Sequence, residues 1–241
     1  MEKTEEELAL VKKELEELRE EYHEYAYKVS HDLSAPFRQI NGFAEILFER
    51  YSDNFDEKAE KHFRLILRGA RTGENILSGL LEHSRLNTRG EEFSEISCNE
   101  IAEQVLKELS ELISSSNAKI VYEKLPVIQA DKKQIFQLFY HVIQNALIYQ
   151  KPGNIPEVSI VAHSQPDCEE FCIEDNGIGI KEAHRKDIFK ILTRDVVATE
   201  YPGMGMGLAI AKKIVRRHGG RIEADEKDGK TQIRFTIQKP K

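Results

Sequence analysis

Long hydrophobic runs are missing from this 241-residue chain. Nothing approaches the roughly 18 to 20 consecutive apolar residues needed to cross a bilayer, and no basic-then-apolar leader is read. No membrane contact by this segment is expected. Cysteine is scarce: Cys98, Cys168 and Cys172 are odd in number and lack metal-ligand spacing. A plain reduced pair explains Cys168 and Cys172 better than zinc does, and a reducing cytoplasm suits all three. Nor is positive charge in excess. Lys and Arg total 35 against 42 for Asp and Glu, a net charge of −7, so no nucleic-acid face is expected. Any phosphate chemistry must therefore come from a local site. Hydrophobic residues make up 40% of the chain, enough for a real core in one large domain or two ordinary ones.

Residues 1–28 are rich in Glu and Lys, yet Leu8, Val11, Leu15, Leu18, Tyr22, Tyr25 and Val29 recur in steps of three and four. That is a heptad seam and predicts a coiled coil. A re-phased stripe continues through Leu33, Phe37, Ile40, Ala44, Leu47 and Tyr51. After the polar break Ser52-Asp53-Asn54, a second stripe follows at Ala59, Phe63, Ile66, Ala70, Gly73, Leu77 and Leu80. Two long helices around a short loop make an antiparallel hairpin over 29–90. One hairpin exposes too much apolar stripe to stand alone, so a homodimer with a four-helix bundle is expected.

Asn87-Thr88-Arg89-Gly90 reads as a linker, and Ser97-Cys98-Asn99-Glu100 as a capping box opening a helix to about 115. Ile120, Tyr122 and Leu125 suggest a strand. Asp131 caps a helix running to about Tyr149. Later strands are signalled at 158–162, 171–174 and 221–224, and by Ile233, Phe235 and Ile237; Gly219-Gly220 closes a helix over 206–218. The overall class is α+β multidomain: a coiled coil (1–28), the hairpin, then an α/β sandwich over 95–241 with helices on one face of a sheet.

His31 lies about 200° of helix rotation from both Val29 and Leu33, so its imidazole points to solvent if those face the core. Pro36 removes the amide that would bond the carbonyl of Asp32. On position alone this is a surface histidine beside a proline kink. The string His31-Asp32-Leu33-Ser34-Ala35-Pro36, however, resembles the phosphoacceptor motif of sensor histidine kinases. The resemblance implies that His31 accepts the γ-phosphoryl group of ATP, with Asp32 orienting the ring or taking its proton. Many members carry Thr or Asn where this chain has Ala35, which puts phosphatase activity in doubt.

Four further clusters occur in order. Asn145, near a helix end, offers an amide oxygen suited to Mg²⁺, or is only a helix-end polar residue. Asp175-Asn176-Gly177-Ile178-Gly179-Ile180 follows a strand. Its carboxylate can accept from an exocyclic amine and its glycines permit close approach, although Asp-Asn-Gly is also a good hairpin turn. Asp187-Ile188-Phe189-Lys190 is followed by Arg194. Gly203-Met204-Gly205-Met206-Gly207-Leu208 leads into a helix whose amides suit phosphate, or forms a flexible loop. No dinucleotide fingerprint or phosphate loop with Gly-Lys-Ser/Thr is present.

Together these clusters resemble the catalytic ATP-binding domain of histidine kinases, in the superfamily of Hsp90, DNA gyrase and MutL. The resemblance assigns Asn145 to Mg²⁺, Asp175 to the adenine amine and Tyr149 to the pocket wall. Residues 181–207 become a lid anchored by Phe189, and Arg194 approaches the γ-phosphate. Gly177, Gly179, Ile180, Gly203, Gly205, Met206, Gly207 and Leu208 complete the nucleotide contacts. The catalytic set is His31, Asp32 and Arg194, the cofactors ATP and Mg²⁺, and the partner the receiver domain of a response regulator, whose aspartate takes the phosphoryl group. The segment is expected to be the cytoplasmic core of a longer sensor.

His141, Ile148 and Met204 depart from the family's usual asparagine, lysine and threonine. They keep open a catalytically degenerate dimeric scaffold, and an Hsp90-like ATPase remains a third reading. Ile148 lies three residues after Asn145, so on a continuing helix the two share a face. In the family a lysine from this position reaches phosphate as a point charge. Ile148→Lys should therefore strengthen ATP and ADP binding in calorimetry, with a gain that shrinks as salt rises. Adenosine should be unaffected. Equal responses from ATP and adenosine would remove Ile148 from the phosphates.

Overall fold

The computed structural model describes residues 2–85, 91–193, 201 and 203–240 and divides into two compact units, Met1–Arg85 and Leu86–Lys241. In the first unit, helix α1 (Glu2–Tyr51) runs 50 residues, about 75 Å, and stays helical through Pro36. A 3-10 turn at Ser52–Asn54 reverses the chain into α2 (Glu57–Arg85), which at 29 residues is about 44 Å long. The second helix is therefore only long enough to accompany the later part of the first.

The apolar stripe expected on α1 divides in two. Ala44 is buried and Phe37 partly so, facing Ala70 and Leu77 of α2, whereas Leu33, Ile40, Leu47 and Tyr51 stay 44–50% exposed. Steps of three and four mark a stripe wide enough to serve two partners, and α2 covers one edge of it. Polar side chains complete the covered edge: Ser30 is fully buried, and Asn41 donates through Nδ2 to Glu74 Oε2 at 2.6 Å. At Gly73 a β-carbon would run into the ring of Phe37, so glycine there makes a notch for the aromatic side chain. Phe48, Phe55 and Phe63 cluster at the turn with centroids 5.3–6.2 Å apart.

The second unit opens with β1 (Ser94–Ser97), α3 (Cys98–Glu108), α4 (Ser110–Ser116), β2 (Lys119–Tyr122), β3 (Val127–Ala130) and α5 (Lys132–Ile148). It continues with β4 (Glu157–Ser164), β5 (Cys168–Asp175), α6 (Gly207–Arg217), β6 (Ile222–Lys227) and β7 (Lys230–Gln238). The main sheet has the order β2-β4-β5-β7-β6, parallel between β2 and β4 and antiparallel elsewhere, while β1 and β3 form a separate antiparallel ribbon. Alternate residues of β5 and β7 turn inward, so Phe171, Ile173, Ile233 and Phe235 meet Phe139 and Ile143 of α5 and Ile210 and Ile214 of α6. Both expected caps form, Ser97 Oγ accepting from Glu100 N and Asp131 Oδ1 from Gln134 N. The helix expected over 98–115 breaks at Leu109. Leu125 follows β2 instead of belonging to it, and its amide donates to Asn99 Oδ1.

Asp131, only 1% exposed, does more than cap α5. Its Oδ2 accepts from Glu91 N and from Arg217 Nη1, both at 2.7 Å. Beside it, the imidazole of His218 accepts the Asp131 amide at Nε2 and donates from Nδ1 to the Ile214 carbonyl, while Phe93 stacks flat on the ring at 4.6 Å. Both ring nitrogens are committed only if His218 is neutral, and burial pushes its pKa down, helped by Arg217. The unfolded ring takes a proton near 6.5 and the folded ring at lower pH, so the unfolded state binds more protons between the two values. Stability from this group is therefore full above 6.5 and is lost as pH falls toward the folded value. Urea unfolding should show this decline, and His218→Gln should flatten it while lowering stability at neutral pH. An unchanged slope in the variant would remove His218 as the source.

Candidate functional site

The first group of expected residues lies on α1. The His31 side chain is 64% exposed, one residue after fully buried Ser30. Its Nδ1 is 3.2 Å from Asp32 Oδ1, and Tyr27, one turn earlier, stacks on the ring at 6.1 Å and 22°. A carboxylate can only accept, so Nδ1 carries a proton, and in the neutral form of the ring the lone pair lies on Nε2. Asp32 thereby selects one tautomer of the neutral imidazole.

The second group gathers in the other unit, around the end of α5, the end of β5 and the start of α6. Asn145 and Tyr149 are one turn apart on α5 and its cap, and His141 is one turn earlier on the same face. Tyr149 packs against Tyr201 with centroids 5.4 Å apart, and its hydroxyl is 3.4 Å from where a Gly203 β-carbon would be. A β-carbon on Gly207 would lie 3.1 Å from His141 Nδ1. The imidazole is thus seated at the N-terminus of α6, whose first amides have no intrahelical acceptor. Gly203 and Gly205 have φ of +130° and +69°, backbone that L side chains rarely adopt.

Asp175 ends β5 and is 9% exposed. Its Oδ1 accepts the Gly177 amide at 2.8 Å, and Thr231, its partner on β7, also bonds to it. Gly177 is held so tightly that a β-carbon would strike the Tyr149 carbonyl and Asp175 Oδ1, while the next amide, Ile178, donates to that same carbonyl at 3.0 Å. Burial is the main cause that pushes the Asp175 pKa up to about 6; the Gly177 and Thr231 bonds pull it back and Glu174 adds repulsion.

Asn145, Tyr149, Asp175, Gly177, Gly203 and Gly207 therefore belong to one neighbourhood, with Gly179 and Gly205 on the same two loops and Ile180 and Leu208 half-buried beside them. Met206 is 5% exposed, so its side chain belongs to the core and only its backbone is offered to a ligand. Phe189 is buried, with Lys212 Nζ 5.9 Å above its ring. Arg194, and with it 194–200 of the expected lid, lies outside the described residues. The sequence reading missed three supports. Tyr201 donates to the Gln150 carbonyl, Asn176 ties the turn to Glu157 and Ile155, and Thr231 braces Asp175. Only Asn176, inside the Asp-Asn-Gly string, carried a local signal.

Residues 130–241 match the family of histidine kinase-, DNA gyrase B- and HSP90-like ATPases. Over 93% of its length the chain is 31% identical to the phytochrome-like protein Cph1 of Synechocystis sp., of which it covers 30%. A similar 93% is 28% identical to the sensor histidine kinase WalK of Bacillus subtilis, covering 38% of that protein. The chain belongs to the sensor histidine kinases. It spans about a third of the length of these curated relatives. The histidine kinase ThkA, solved in complex with the response regulator TrrA, has the same fold: TM-score 0.64 at 22% identity, over 96% of this chain and 67% of that one.

In this histidine kinase chain the raised pKa of Asp175 has a consequence for stability. The folded state holds the proton up to about 6 and the unfolded state releases it near 3.8, so the carboxylate costs stability above 6. Asp175→Asn should raise neutral-pH stability by up to about 3 kcal/mol, and the advantage should vanish below about 4. Chemical denaturation at both pH values checks this. A variant less stable at neutral pH would contradict the assigned cause.

Proposed function

We propose that the chain is the kinase core of a two-component sensor, which uses ATP to phosphorylate His31 and passes the phosphoryl group to an aspartate of a response-regulator receiver domain. The observation that carries this is His31 itself: exposed and paired through Nδ1 with Asp32, which in the neutral ring leaves the Nε2 lone pair to attack, on a chain with an ATPase-type domain. Nε2 attacks the γ-phosphorus, the bond to the bridging oxygen breaks and ADP leaves, while Asp32 stabilises the proton retained on Nδ1. A receiver carboxylate then displaces the imidazole. The complex of ThkA with TrrA supports this choice of partner.

On the nucleotide side, Asp175 accepts the adenine amine, Tyr149 walls the base, and Gly203, Gly205 and the amides at Gly207 and Leu208 receive phosphate. Among the described residues no cluster of three His, Cys, Asp or Glu could hold a metal by itself. The site suits Mg²⁺, which takes most of its ligands from phosphate and water, with the Asn145 amide oxygen as the protein's share. Bound there, Mg²⁺ neutralises phosphate charge. The placing of Arg194 beside the γ-phosphate rests on the family resemblance.

The exposed edge of α1, Leu33, Ile40, Leu47 and Tyr51, supports a homodimer in which a second hairpin covers it. In this reading 1–28 is a coiled-coil signalling helix, 29–90 the dimerising phosphotransfer hairpin and 95–241 the catalytic domain. Among the described residues no helix is long and apolar enough to cross a membrane, and the core works in the cytoplasm.

Incubation with γ-labelled ATP and Mg²⁺ should give an acid-labile, alkali-stable label. His31→Gln should abolish it while leaving nucleotide affinity and dimerisation unchanged, because the side chain lies outside the packed edge. Undiminished acid-labile label in His31→Gln would overturn the proposal. Tight ATP binding with no label in the wild type would favour the degenerate scaffold.

A further inference from the structure

The strand that ends in Asp175 begins beside a second cavity. Glu169 is six residues earlier on β5, about 20 Å away at 3.3 Å per residue, and shares the helix-facing side with Phe171 and Ile173. A cavity of about 220 Å³ opens there between the β1–β3 ribbon and the end of β7. This is several times the roughly 30 Å³ share of one water molecule. Val127, Ile128, Ile237 and Pro240 supply apolar wall, and exposed Glu95 supplies a second carboxylate.

Glu169 is 7% exposed, and its two oxygens fare differently. Oε1 accepts from Ser164 Oγ at 2.9 Å and from Lys239 Nζ at 3.0 Å. Among the described residues Oε2 is buried with no hydrogen-bond partner. Lys239 has no spare proton for it, because its three donors already meet Ser164 Oγ, Gln165 O and Glu169 Oε1. Two carboxylates against one committed ammonium leave the cavity one negative charge in excess. A buried carboxylate oxygen is best satisfied by a charged donor, and the apolar walls suit an alkyl stem behind that donor.

We propose that this cavity is a binding site for an alkylammonium or alkylguanidinium cation, either a free amine or the end of a lysine or arginine side chain. The head bonds Glu169 Oε2 under the long-range pull of Glu95, and the stem lies along Val127, Ile128 and Ile237. This site is separate from the nucleotide neighbourhood, and its existence does not depend on the kinase reading.

The test titrates the 241-residue chain, labelled with ¹⁵N, with butylammonium, butylguanidinium, neutral 1-butanol and the blocked tripeptide Ala-Arg-Ala. The cations should give saturable amide shifts at Val127, Glu169, Ile237 and Gln238, and butanol should not. Tighter binding of the tripeptide than of butylguanidinium identifies a protein side chain as the natural source; the reverse identifies a free amine. Glu169→Gln should weaken cation binding about tenfold or more. Val127→Trp, at a position 57% exposed on the ribbon, should block binding sterically with the fold retained, which guards against Glu169→Gln failing to fold. ATP affinity should be unchanged in both variants. Equal responses to butanol and the cations, no saturable shift, or wild-type binding in both variants would each overturn the site.

Discussion

One carboxylate organises the nucleotide half of this molecule. Asp175 sits at the end of a central strand, 9% exposed, with its pKa pushed up to about 6 by burial. A charge in that position is tolerable only where donors surround it, and the chain around it is built to bring them in. The Gly177 amide closes on Oδ1, Thr231 reaches across from β7, and the Tyr149 carbonyl holds the next turn through Ile178. Gly177 cannot carry a side chain because its surroundings close directly on it. The geometry of the site therefore follows from satisfying a group whose ionised form is unfavourable without a ligand. Its ionised form therefore carries a cost in stability that the surrounding donors only partly offset.

The hairpin solves the opposite problem, keeping an imidazole in water while its neighbours pack. His31 is exposed and Ser30 is fully buried one residue before it. On a helix, consecutive residues point about 100° apart, so a well-packed edge rigidly sets the direction of its neighbour. The Tyr27 ring and the Asp32 carboxylate then restrict the imidazole further without covering it.

How much of this was legible in the sequence depends on the range of the forces involved. The cap at Asp131, the positive-φ glycines at 203 and 205 and the alternation along β7 announce themselves locally, since each is demanded by backbone geometry within a few residues, whereas Gly177 and Gly207 also answer to Tyr149 and His141 far along the chain. The ribbon of β1 and β3 left no such mark, because each strand has only four residues and pairs with the other across about thirty positions. The second task of Asp131, binding an arginine 86 residues away, is invisible to any local pattern. On α1 the stripe was found but its division was not: residues facing α2 and residues left exposed share one period, and only the length and placement of α2 separate them. Met206 lies in the glycine loop, yet its side chain answers to the core.

The notch at Gly73 sets the mechanics of the hairpin. With the Phe37 ring seated where a β-carbon would otherwise be, α1 behaves like a shaft held by a key. Turning it about its own axis would drive the ring against the backbone of α2, and sliding it along would lift the ring out over the neighbouring turns. Bending is the cheaper deformation, because Pro36, the residue before the key, lacks the amide that would stiffen that turn. A bend of α1 at that turn would lie within two turns of His31, and would alter the tilt of the histidine more than its rotation about the helix axis.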